Sequence, residues 1–192
     1  MPFFPLHRVQ FKAGVVVAVC LVALGLYPRS ACAQTPGEYD VKAAFLLNFA
    51  KFVEWPDNAF GDRSSPLVLG IVGDDPFGGA MDRLSEKTVN GRVLVVRRLS
   101  GATDDYKGIQ MLFISASERQ RVPAILKHVA GMSILTVSDL DDFCGMGGII
   151  QLLKQDQRIR FEVNLTVGVR AHLNISSKLL GLARTVHSEK GT

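Results

Sequence analysis

Cysteine, histidine and tryptophan are scarce in this 192-residue chain, which holds three, four and one of them. Two of the cysteines, Cys20 and Cys32, fall within the first 33 residues, so a chain shortened there keeps only Cys144 and cannot close an intramolecular disulfide. Cys144 then reads as a small buried side chain. A zinc site needs Cys and His at ligand spacing, and neither a second nearby cysteine nor a His-x-x-x-His pair is present. Acyl-transfer chemistry needs a nucleophile, a base and an oxyanion donor in reach, yet His128, His172 and His187 stand in no supporting motif. Phosphate-binding fingerprints are missing too: there is no G-x-x-x-x-G-K, and Gly145, Gly147 and Gly148 precede a strand-like run, whereas phosphate cradles end at a helix N-terminus. The pair Asp74-Asp75 is explained by helix capping, with Asp75 as N-cap and Pro76 at the first helical position. The reading is a non-enzyme with no cofactor and no metal.

An excess of charge is also missing. The formal net charge is +4, but Arg8, Lys12 and Arg29 lie in residues 1–33 without a single acid, leaving 19 basic and 18 acidic side chains beyond them. That balance removes the main support for nucleic-acid binding. Residues 1–33 have the form of a secretory signal: Arg8 and Lys12, an apolar run over 13–26, then Ala31-Cys32-Ala33 as a small-x-small cleavage site. The run is shorter than the roughly 20 residues that cross a bilayer. The expectation is a leader at 1–33, cleavage before Gln34, and one exported, periplasmic domain over 34–192.

What is there in abundance is apolar pattern. Residues 38–56, EYDVKAAFLLNFAKFVEWP, carry Val41, Ala44, Phe45, Phe49, Phe52 and Trp55 at helical spacing. This predicts a core helix running to Pro56, with Lys42, Lys51 and Glu54 on a narrow polar stripe and Lys51 paired to Glu54. The short apolar runs at 67–72, 109–114 and 133–137 read as strands covered on both faces. Asn90-Gly91 reads as a turn into a strand at 92–97. Helical patterns follow Asp75, with Met81 and Leu84 inward, and span 118–130, with Ser117 as N-cap and Gly131 as the stop. Residues 149–153 and 159–165, reversed at 155–157, read as an antiparallel hairpin, and 166–183 as a final helix before a frayed tail at 187–192. The fold class is therefore α/β: a single domain with a mixed, mostly parallel sheet flanked by helices, ending in that hairpin and helix.

The 38–56 segment, placed just after an export signal, resembles the opening of the YfiR-like family of periplasmic proteins. G-I-I-Q-L-L at 148–153, R-I-R-F-E-V-N-L at 158–165 and L-N-I-S-S-K-L-L-G-L-A at 173–183 resemble its closing pattern. The resemblance implies a periplasmic regulator that binds and represses an inner-membrane diguanylate cyclase, limiting cyclic-di-GMP output and biofilm. It leaves room for an outer-membrane-associated antagonist and for a homodimer. Relatives can carry disulfides; with Cys144 alone, any disulfide-based activation does not transfer.

A second reading is a periplasmic small-ligand-binding or receptor module with a pocket at the strand ends. A neighbouring cyclase gene favours the first, a transporter or histidine-kinase gene the second. For either, the candidate residues are Arg160 and Glu162, which share the outer face of the returning strand with Arg158 and Asn164, and Arg170 at the start of the last helical segment. Arginine supplies planar, multi-donor recognition that lysine does not.

Overall fold

The computed structural model describes residues 37–85, 87–100 and 105–188. The expected leader at 1–33 and the end of the tail lie outside them. In chain order the elements are α1 (Glu38–Phe52), β1 (Val53–Glu54), β2 (Leu67–Val72), α2 (Gly79–Asp82), β3 (Thr88–Val89), β4 (Arg92–Leu99), β5 (Met111–Ile114), α3 (Val122–Val129), β6 (Leu135–Ser138), β7 (Ile150–Gln155), β8 (Arg158–Asn164), α4 (Leu165–Arg170), β9 (Asn174–Ile175), α5 (Ser177–Leu180) and β10 (Thr185–His187).

Eight strands form one sheet in the order β10-β8-β7-β6-β5-β2-β4-β3. The pairs β4/β2, β2/β5, β5/β6, β6/β7 and β8/β10 are parallel, while β3/β4 and the hairpin β7/β8 are antiparallel. The continuous apolar runs became β2 and β5 because both faces are covered. On one face α1, α2 and the segment after β8 bury Leu46, Phe49, Leu69, Met81, Phe113, Phe161 and Leu179 together. On the other, α3 buries Val122 and Ile125 against Val72, Leu112 and Ile114. The fold is the expected α/β domain with its antiparallel C-terminal hairpin.

Several expectations change. The first helix stops at Phe52, because Pro56 bars helical geometry just before it and Val53–Glu54 pairs with Asn174–Ile175 instead. Its buried side is Ala43, Leu46, Phe49 and Ala50, with Ala44 exposed, and Lys42 is buried. Glu54 accepts a hydrogen bond from Asn174 (2.8 Å), not from Lys51.

After β2, Asp75 does not cap a helix. Its Oδ1 accepts from Phe77 N–H (2.8 Å) in a turn, and only Gly79–Asp82 is helical, although Met81 and Leu84 do face inward. The helix expected over 118–130 begins at Val122, with Pro123 in its first turn; Ser117 spends its hydroxyl on Asp74 N–H (2.9 Å).

The final helix is broken in three. Asn164 caps α4, His172 takes a left-handed φ of 57°, and the chain extends as β9 before Ser176 caps α5. The tail from residue 187 is not frayed at its start, since His187 belongs to β10.

Candidate functional site

Two-residue alternation in β8 sends Phe161 and Val163 into the core and leaves Arg158 and Arg160 exposed, with Glu162 and Asn164 half-buried between them. The mixed-charge ladder expected on the outer face therefore exists. β10 lies along it in register, with Thr185 beside Glu162 and His187 beside Asn164. Glu162 is consequently engaged: His187 Nε2 lies 3.1 Å from one carboxylate oxygen and Arg184 Nε 3.6 Å from the other.

Arg170 closes α4 and stands between two depressions. One is an apolar cleft of ≈ 180 Å³ formed by Leu126, Val129, Met132, Ile134, Ile149 and Val167. The other is a shallower polar groove of ≈ 450 Å³ that Arg170 shares with Asn164, Thr166 and His187. His187 links the candidates, since it touches Glu162 and lines the groove with Arg170. Arg160 lies one alternation further along the strand, outside that groove. The structure thus joins Glu162 and Arg170 through His187 and sets Arg160 at the margin.

The glycines before β7 make a turn and not an anion cradle. Gly147 takes a φ of 97°, and a Cβ on Gly148 would come within 2.1 Å of the Phe143 ring. Cys144 is buried beside them, and burial pushes its thiol up to about 12. Of the remaining histidines, His128 packs edge-on against Tyr106 at 5.2 Å. Among the described residues no cluster of His, Cys, Asp and Glu has the arrangement to hold a metal ion.

A second charged constellation went unrecognised in the sequence. Lys42, only 4 % exposed, reaches Asp139 at 2.6 Å and Glu38 at 2.7 Å, and its ammonium lies 4.3 Å from the centre of the Tyr39 ring. Tyr39 donates its hydroxyl to the same Asp139 oxygen (3.0 Å), and Lys154 of β7 holds the other oxygen of Glu38 (2.9 Å). Burial works against the Lys42 charge, but hydrogen bonds to Asp139 and Glu38 outweigh it and hold its pKa above the ordinary lysine value. The hydrogen bonds from Lys42 and Lys154 hold Glu38 below the ordinary carboxylate value. This network ties the start of α1 to the ends of β6 and β7. The i, i+4 spacing of Glu38 and Lys42 was a visible signal; Asp139, 97 positions away, was not.

Residues 39–184, which hold all but the first residue of the N-terminal helix, the strands β1 to β9 and the hairpin carrying the charged face, match the YfiR/HmsC-like family, and β10 lies just beyond the match. The chain belongs to the YfiR/HmsC-like family.

Proposed function

We propose that the protein is a periplasmic regulator that binds the periplasmic part of an inner-membrane diguanylate cyclase and holds it inactive, limiting cyclic-di-GMP output. The observation that carries this reading is the family match over residues 39–184, which spans most of the chain. The scarcity of catalytic groups supports action by contact without turnover. Among the described residues no helix is long and apolar enough to cross a membrane. The proposed contact surface is the outer face of β8 with Arg160 and Glu162, together with Arg170, which also lines the apolar cleft. A small-ligand module is the second reading, favoured by the cleft beside Arg170.

A stoichiometric inhibitor acts only by binding the inactive state of its target more tightly than the active one. Deletion of the gene should therefore raise cyclic-di-GMP only in cells that also carry the partner cyclase. R160A and R170A should each relieve repression while leaving thermal stability unchanged; E162K is a poor probe, because it would place a cation against Arg184 and His187. Elevated cyclic-di-GMP after removal of every candidate cyclase, or degradation of the dinucleotide by purified protein, would overturn the regulatory reading. Full repression by a stable R160A/R170A double variant would remove this face from it.

A further inference from the structure

Charge is distributed unevenly along the chain. Residues 34–153 carry 12 Lys and Arg against 15 Asp and Glu, and residues 154–192 carry 7 against 3, so the whole positive excess beyond the leader lies in the last segment. That segment supplies β8 and β10, which close one end of the sheet, and it supplies α4 and α5 as well.

The cations of the two segments are also used differently. Arg92 donates to the carbonyls of Asp62 (3.0 Å) and Ser65 (2.6 Å), and Arg98 pairs with Asp75 and Asp82. Arg158, Arg160 and Lys178 are exposed and hold no ion pair among the described residues.

Aliphatic side chains stand in water among them: Val169 is 61 % exposed, Leu182 68 % and Val186 37 %. The register places them along one border. Arg184 N–H donates to Phe161 O (2.8 Å) and Val186 lies beside Val163, so Leu182 and Val186 follow the outer margin of β8. Lys178 stands one helical turn before Leu182, whose N–H bonds Leu179 O (3.0 Å). Arg170, next to Val169, shares a polar groove with Val186, Asn164 and His187.

We infer that this border docks the protein on a phospholipid bilayer with anionic headgroups. Lys and Arg near such a surface are attracted to it, and protruding aliphatic side chains enter the boundary between headgroups and acyl chains. Docking is superficial. Among the described strands none pairs with the outer edge of β10, so its amides need water or phosphate, and the border rests at headgroup level without entering hydrocarbon. A protein partner would want a pocket for a buried anchor, whereas the groove at this border is polar; a fluid leaflet needs only the charge and the protruding side chains. The other exposed aliphatic pair, Val93 and Val95 of β4, belongs to the segment with an acidic balance, beside arginines that are already engaged. Docking of this kind needs no cyclase, and protein-free vesicles test it without one.

Co-sedimentation of the exported protein with vesicles of phosphatidylcholine alone, and of phosphatidylcholine mixed with phosphatidylglycerol, is the experiment. Binding is expected only to the mixed vesicles and should weaken steeply as salt is raised. V169E/L182E should lower it about tenfold or more, and R158A/K178A by a similar factor, since each cation near the surface is worth about fivefold. V93E/V95E should bind as the wild type does. All six substituted positions are exposed, and thermal melts check that each variant is folded. A wild type that ignores the mixed vesicles at low salt, equal binding to both lipid compositions, or an equal loss in V93E/V95E would each overturn the assignment. Loss of repression in V169E/L182E with no vesicle binding by the wild type would give the border to an acidic protein surface instead.

Discussion

Lys42 shows how one residue escapes a pattern. Its position on the helical wheel of α1 marks it as solvated, yet Asp139 from the end of β6 meets it below the surface, where only 4 % of the residue is exposed. Removing one partner of such a pair strands the other charge in a poorly solvated place. K42M should therefore cost about 3 kcal/mol by urea denaturation, and K42M/D139L should recover much of that loss. If K42M is neutral, the pair is not holding α1 in place.

Because the folded-state pKa values of both Lys42 and Tyr39 are raised, their contribution is complete at neutral pH and is lost as pH climbs beyond the ordinary lysine and tyrosine range, above about 10. The urea midpoint should fall there in the wild type and fall less steeply in K42M.

At the scale of elements, short-range signals and long-range partners divided the outcome. β2, with both flanks marked by Pro66 and Gly73, was legible to the residue, and the Asn90-Gly91 turn does close a hairpin with both residues at positive φ. The turn before β7 was legible as glycine-rich, but its reason was not. Gly148 is needed because the buried Phe143 ring occupies the space of a side chain, whereas Gly91 has open space and needs only its backbone angle. G148A should cost about 2 kcal/mol or more, through overpacking, and G91A about 1 kcal/mol through strain alone. Equal losses in thermal melts would remove the steric explanation. The break in the segment at 166–183 was invisible for a related reason: β9 exists only because Val53–Glu54 offers it a ladder.

For the whole molecule, balanced charge beyond residue 33 argued against nucleic-acid binding, and an N-terminal segment with the form of an export signal pointed to a periplasmic protein. The expected product begins at Gln34, and intact-mass measurement of the periplasmic fraction checks it; full-length protein retaining Met1 in the membrane would refute the export reading. Such a product carries one thiol, and burial keeps that thiol from reacting in the native state. Alternation along β8 and apolar runs elsewhere determined by themselves the six longer strands (β2, β4, β5, β6, β7 and β8), the inward face of the hairpin and the α/β class, because these depend on spacing along the chain. Tertiary structure alone decided that Lys42 is buried, that α1 ends four residues early, and that β10 covers part of the charged ladder and engages Glu162. Each of those rests on a contact between segments far apart in sequence, where no local period records the partner.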